Sequence, residues 1–189
     1  MAPHRSLRHL TRKPIGFLEY RKLISQIPNM TDQSVVLMCT AMLERTLEKN
    51  IRLRLRRLTK KEHSELFIRG PLSSFAAQIR MAHALSRFGP KTFAELETIR
   101  EIRNAFAHAT HPITFTTKRV AERCRSLRMN NVTYPPMLEH LFQLPLSGAS
   151  PRDQFVRACV VLWFTLSLDT RPWRPKRYTG PGVLQKIIA

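Results

Sequence analysis

Cysteines, acidic residues and long apolar runs are all scarce in this sequence. Its three cysteines, Cys39, Cys124 and Cys159, are odd in number and far apart, which fits neither a disulfide framework nor a zinc-ligand spacing. We therefore expect buried, unbridged thiols in a reducing cytoplasm. No apolar run reaches the roughly 18 residues of a membrane span. The nearest candidate, FVRACVVLWFTLSL at 155–168, is short and contains Arg157, so it predicts a buried helix.

Metal-binding and export patterns are missing as well. The seven histidines form no HExxH sequence and no paired Cys/His pattern, so we predict no metal and no other cofactor. The first residues, MAPHRSLRHLTRK, are basic but lack the apolar core of a secretory signal. These absences favour a cytoplasmic protein with no membrane partner.

Positive charge is what the sequence has in excess. There are 32 Lys and Arg against 13 Asp and Glu, a formal net charge of +19. Residues 1–13, 51–61 and 170–189 carry four, six and five of these cations and no acid. Clustered cations suit a polyanion, either nucleic acid or an acidic membrane surface, while solvated surface charge in a basic proteome would give the same composition. The candidate nucleic-acid-binding residues are Arg52, Arg54, Arg56, Arg57, Lys60, Lys61, Arg171, Arg174, Lys176 and Arg177.

Apolar residues recur with helical spacing in the first half of the chain. A first helix opens at Pro14, and Thr31 with Asp32 starts a long second helix whose apolar stripe runs on to Leu58. Residues 60–68 predict a short helix. Ser73 or Ser74 is then the N-cap of a helix over 75–88.

The second half continues the helical pattern. Thr92 and Glu95 form a capping-box pattern for a helix at 93–108. A loop and a short helix near 118–127 follow, and Ser150 with Pro151 starts a last helix that ends at about residue 168. We predict an all-α fold: a single bundle of about five main helices plus short helices. Its parts are a basic arm at 1–13, a helical domain at 14–169 and a basic tail containing Pro and Gly at 170–189.

The stretch IREIRNAFAHA at 99–109 raises the question of catalysis. Glu97, Glu101, Asn104 and His108 recur on one polar stripe of the predicted helix. One interpretation is structural, with Asn104 bonded to His108 one turn away and Arg103 paired with a carboxylate. The other is catalytic, with Arg103, Asn104 and His108 as active-site residues. A short motif of this kind does not decide between the two.

Three segments resemble the mannitol-repressor (MltR) family of bacterial proteins. They are GPLSSFAAQIRMAHAL at 70–85, ELETIREIRNAFAHA at 95–109 and PITF at 112–115, and the resemblance covers roughly residues 15–170. It departs from the family at Leu85 to Phe88, where a shortened turn leads to Gly89 and Pro90. The resemblance implies an all-α fold and a repressor of a sugar-alcohol operon. Since no segment shows a helix-turn-helix pattern, such a repressor would hold DNA through its basic surfaces or act through a partner protein.

The block Arg103-Asn104-x3-His108 is also similar to the Rx4–6H motif of HEPN-domain ribonucleases. That similarity implies a helical, metal-independent and dimeric enzyme. Histidine can remove the proton of a 2′-hydroxyl or protonate the leaving oxygen, and arginine can stabilise a charged phosphorane. Arg103 and His108 point about 140° apart on one helix, so a dimer would have to bring two blocks together.

Three hypotheses follow from these patterns. The first is an MltR-like transcriptional regulator that acts on nucleic acid or a protein partner, as a homodimer. The alternative is a toxin-like HEPN endoribonuclease, and the third is a non-enzymatic helical interaction protein. The position of His108 separates them: exposure in a shared basic cleft favours the ribonuclease, whereas burial and internal pairing favour a structural role.

Overall fold

The computed structural model describes residues 17–128 and 150–168, and every regular element in these residues is helical. The predicted all-α bundle is therefore confirmed. Seven α-helices follow in chain order, together with a 3-10 turn at Ile27–Asn29 after the first: α1 (Phe17–Gln26), α2 (Asp32–Arg52), α3 (Lys60–Phe67), α4 (Phe75–Ala84), α5 (Pro90–His108), α6 (Lys118–Arg125) and α7 (Pro151–Leu168). The predictions for the arm at 1–13 and the tail at 170–189, including Arg171, Arg174, Lys176 and Arg177, lie outside the described residues.

Three predicted helix starts are confirmed by their capping hydrogen bonds. The Thr31 hydroxyl accepts a bond from the Ser34 amide at the start of α2. The Ser74 hydroxyl accepts one from the Ala77 amide at the start of α4. At α7, the Ser150 hydroxyl accepts the Asp153 amide. Each cap satisfies an amide that the first helical turn would otherwise leave without a partner.

Helix α2 lies at the centre of the bundle. Helices α4, α5 and α7 all pack against it. Its apolar stripe is buried completely at five positions: Val35, Val36, Leu43, Leu47 and Ile51. Full burial of an aliphatic side chain contributes about 1.5–3 kcal/mol, so this helix anchors the core.

Two hydrogen bonds show that α5 runs antiparallel to α2. Near the start of α2, the Gln33 side-chain amide donates to the Phe106 carbonyl over 3.2 Å. Near its end, the buried Arg87 guanidinium, just before α5, donates to the Asn50 side-chain oxygen over 2.9 Å. The end of α5 that carries His108 therefore lies beside the beginning of α2.

Helix α7 runs parallel to α2 on another side. Arg152, at the start of α7, donates to the Asp32 carboxylate over 2.6 Å and to the carbonyls of Ile27 and Met30. At the other end, the Asn50 side chain donates to the Leu166 carbonyl over 3.0 Å. Polar contacts at both ends of the pair fix how far α7 is shifted along α2.

The end of α2 corrects one prediction. The helix was expected to continue to Leu58, but it ends at Arg52 in a tight turn in which the Arg54 amide donates to Ile51 and the Leu55 amide to Arg52. Leu55 and Leu58 nevertheless pack against the core. The spacing of Leu55 and Leu58 therefore reflects their burial against the core. A residue can be buried there without belonging to the helix.

Two further boundaries differ from the prediction around the shortened turn. Helix α4 ends at Ala84, four residues early, and Ser86 takes a left-handed backbone conformation with φ of 54°. The predicted capping box of Thr92 and Glu95 is wrong, because α5 already begins at Pro90. The buried Glu95 carboxylate instead accepts the Arg128 amide over 2.8 Å.

All three cysteines are buried and none is bridged, which confirms the prediction of free thiols. They come from different elements, since Cys39 is in α2, Cys124 in α6 and Cys159 in α7. Burial raises the pKa of the Cys124 thiol to about 12. A thiol that stays protonated at neutral pH is a poor nucleophile, so Cys124 acts as a small core side chain.

The central polar contact gives a stability prediction. Asn50 is 2% exposed and joins three partners, the Arg87 guanidinium and the Thr46 and Leu166 carbonyls. Replacing Asn50 with Ala would remove the oxygen that accepts a hydrogen bond from the buried Arg87 guanidinium. It would also remove the amide group that donates to the Leu166 carbonyl. We expect a loss of roughly 2–4 kcal/mol in the free energy of unfolding, measured by urea denaturation. The exposed neighbour is the control: Lys49→Ala should change it by no more than about 0.5 kcal/mol. Equal midpoints for the two variants would contradict the assignment.

Candidate functional site

His108 is the last residue of α5 and its side chain is exposed. Within residues 17–128 and 150–168 it has no hydrogen-bond or ion-pair partner. The hydrogen bond expected between Asn104 and His108 is therefore absent from the described contacts. The ring is thus accessible to a substrate or partner.

Arg103 is turned toward the central helix. Its guanidinium donates to the Asn104 side-chain oxygen over 3.1 Å and is half-buried. Burial raises the pKa of the Glu44 carboxyl on α2, and the nearby positive charge of Arg103 acts in the opposite direction. The structure therefore brings Arg103 and Asn104 together and leaves His108 on a separate, outward side.

The polar stripe predicted on α5 is at the surface, and its acids are engaged. Glu97 forms an ion pair with Arg100 over 2.7 Å within the helix. Glu101 reaches Arg123 of α6 over 3.2 Å. The remaining members of the stripe, Asn104 and His108, are the ones that belong to the RNxxxH block.

The basic segment 51–61 runs from the last turn of α2 into the first turn of α3. Three of its cations have exposed side chains without partners in the described structure: Arg52, Arg57 and Lys60. The other exposed cations of the segment are paired. Arg56 bonds Glu62 and holds the pKa of that carboxyl down at about 2, and Lys61 lies 3.9 Å from Glu65. Arg54 is half-buried.

The RNxxxH block and the basic segment lie at opposite ends of the bundle. The block ends beside the first turn of α2, as the contact between Gln33 and Phe106 shows. The segment begins in the last turn of α2, about 20 residues further along the helix. At 1.5 Å per residue that separation is about 30 Å. One copy of the chain therefore does not combine them into a single site.

An open cleft of about 480 Å³ adjoins the RNxxxH end. It lies between the first turn of α2 and the loop after α5, and its lining includes Asp32, Gln33, Phe106, His111 and Ile113. Asp32 is already engaged, because its carboxylate accepts both the Arg152 guanidinium and the Phe115 amide. The cleft is consequently a surface depression whose one carboxylate, that of Asp32, is not free to bind a ligand.

One basic surface was missed when charge was counted by segments. Helix α6 exposes Lys118, Arg119 and Arg125. Glu122 lies among them, which kept this stretch out of the set of acid-free segments. The absence of any acid from residue 102 to residue 121 could have revealed it.

The described residues contain neither a metal-binding cluster nor a membrane-spanning helix. Within 17–128 and 150–168 no three His, Cys, Asp or Glu side chains form a group that could hold a metal ion. None of the described helices has both the length and the apolar character needed to cross a bilayer.

The electrostatic effect of Arg103 on the Glu44 carboxyl makes a pH prediction. Arg103→Met removes the charge and keeps an apolar chain, so we expect the pKa of Glu44 to rise further. A carboxyl whose folded pKa exceeds its unfolded value of about 4.3 binds its proton more tightly in the folded state. Stability then falls as pH rises from below the unfolded pKa through the folded one. The variant should therefore show a steeper decline over that range than the wild type.

Carboxyl NMR titration of Glu44 and urea unfolding across mildly acidic pH would measure both effects. Arg100→Met is the matched control, because Arg100 pairs with Glu97 in the same helix, and it should leave the Glu44 pKa unchanged. An unaltered Glu44 pKa in Arg103→Met would show that the two side chains do not interact.

Comparison with known proteins adds no relative. No family model, no curated protein and no solved structure matches this chain. The resemblances to the MltR and HEPN families thus rest on the sequence motifs alone.

Proposed function

We propose that this protein is an MltR-like regulator that binds nucleic acid. The observation that carries the proposal is the basic segment, where Arg52, Arg57 and Lys60 are exposed and have no acidic partner in the described residues. A side-chain cation without a partner is free to bind a phosphate, whereas a cation in an ion pair must first separate from its acidic partner. The all-α bundle agrees with the fold that the MltR resemblance implies.

The segment also has a defined backbone on which to present these charges. Leu55 and Leu58 pack against the core. Thr59 and Glu62 form a capping box at the start of α3, and His63 on that helix bonds Glu48 of α2 over 2.6 Å. Cations held on an ordered turn lose less conformational entropy on binding than cations on a free chain. Such contacts to phosphate fix position and carry no sequence information by themselves.

Removal of the three unpaired charges tests this proposal. We expect the triple variant Arg52→Gln, Arg57→Gln, Lys60→Gln to bind a short duplex DNA or single-stranded RNA more weakly. The slope of log K against log salt should become shallower by about 3 for the better ligand, because each lost phosphate contact removes roughly one released counterion. Fluorescence anisotropy over a salt series measures both quantities.

The control removes the same charge elsewhere. Arg21, Lys22 and Arg80 are also exposed, so changing all three to Gln tests whether net charge alone matters. A similar loss of affinity in both triple variants would show that the effect comes from net charge alone. If the wild type binds neither nucleic acid at low salt, the proposal is wrong.

A metal-independent ribonuclease is the second candidate, and the exposure of His108 favours it. A buried, internally bonded His108 would have indicated a structural role, but the ring is exposed at the end of α5. In the proposed homodimer, one His108 would take the proton from a ribose 2′-hydroxyl as its oxygen bonds phosphorus. The second would protonate the 5′-oxygen as the P–O5′ bond breaks, leaving a 2′,3′-cyclic phosphate. Arg103 would stabilise the negative charge between these steps.

Two substitutions test this second candidate. Arg103→Ala and His108→Ala should each abolish cleavage of single-stranded RNA, and wild-type cleavage should persist in EDTA. His108→Ala should keep the wild-type melting temperature because its ring is exposed and unbonded in the described structure. Gel analysis of a labelled RNA measures cleavage. Wild-type protein that leaves RNA intact, or a His108→Ala variant that still cuts, would exclude the mechanism.

A further inference from the structure

Helix α6 carries an unpaired positive face. Lys118, Arg119 and Arg125 are exposed, and none has an ion-pair partner within the described part of the chain. The apolar residues of α6 point the other way, with Val120, Ala121 and Cys124 buried. The face presented to solvent is therefore basic and polar.

Two contacts locate this face beside α5. Arg123 pairs with Glu101 over 3.2 Å, and the Arg128 amide donates to Glu95 over 2.8 Å. Residues earlier in this part of the chain thus lie beside residues later in α5, so α6 and α5 run antiparallel. Lys118 precedes Arg123 by about one and a half helical turns. In this antiparallel arrangement it therefore lies near the end of α5 that carries His108.

The acids near this face are few. Glu101 is engaged by Arg123, and Glu122 is the one acid among the exposed residues of α6 itself. From residue 102 to residue 121 the chain contains Arg103, Lys118 and Arg119, two histidines and no acid. The surface that joins the RNxxxH block to α6 is consequently positive.

We propose that the outward face of α6 is a second binding surface for the phosphate backbone of nucleic acid, directing it past His108. This inference rests on the proposed nucleic-acid binding and adds a surface at the opposite end of α2 from the segment 51–61. A nucleic acid is favoured over a membrane because the apolar side chains of α6 are buried, so none is left to enter a lipid surface, as basic amphipathic anchors require. The surface reads phosphates rather than base edges.

The experiment compares three charge-matched variants of the full chain. One changes Lys118, Arg119 and Arg125 to Gln, one changes Arg52, Arg57 and Lys60, and the third changes Arg21, Lys22 and Arg80. Anisotropy titrations use a short duplex DNA, a single-stranded RNA and vesicles of anionic phospholipid. Arg123 is left in place because it holds α6 against α5. Circular dichroism and melting temperature check that every variant folds.

We expect the α6 variant to bind its nucleic acid more weakly than the Arg21 control, with a salt slope shallower by about 3. If the α6 variant matches that control while the 51–61 variant is weakened, the inference fails and the proposed function stands. If the wild type binds neither nucleic acid, both fail. If α6 variants lose affinity for vesicles but not for nucleic acid, the face binds lipid and the inference is overturned.

Discussion

Helix α2 buries five aliphatic side chains completely, and α4, α5 and α7 all pack against it. A helix packed against three others buries some polar residues as well, and those residues need partners inside the bundle. The hydroxyls of Thr40 and Thr46 donate hydrogen bonds to carbonyls of the preceding turn of α2. Asn50 instead reaches outward to Arg87 and Leu166. Hydrophobic packing holds the helices together, while Asn50 joins α2 to α7 and to the turn between α4 and α5 at one end of the bundle.

Polar contacts at the two ends of α2 determine where the candidate surfaces lie. Apolar packing is non-directional, so it fixes the sliding of one helix along another less sharply than a short hydrogen bond does. Arg152 binds Asp32 at the start of α2, and Asn50 binds Leu166 at its end. The first contact belongs to the end where α5 finishes and the second to the end from which the basic segment departs. Separation of the two candidate surfaces is thus a result of helix register.

The sequence was informative where a local rule and burial agreed. Thr31, Ser74 and Ser150 start helices as their residue types predict, and the thiols are buried as their apolar surroundings indicate. Prediction failed where a side chain served a distant partner. Glu95 fits a capping box by spacing, yet its carboxylate accepts the Arg128 amide. For the site, the surface position of His108 was one of the alternatives considered. The turn of Arg103 toward Glu44 depends on a helix some sixty residues away, which no local pattern contains.

The contact between Asn50 and Leu166 joins residues separated by 116 positions, and that between Asp32 and Arg152 spans 120. During synthesis, α2 leaves the ribosome long before α7 exists, so the side of α2 that packs against α7 stays uncovered until then. At about 5–20 residues per second, the interval lasts several seconds or more. Throughout that time the nascent chain exposes a hydrophobic surface that chaperones can recognise. Late arrival of a parallel neighbour therefore makes this small bundle dependent on the order of translation.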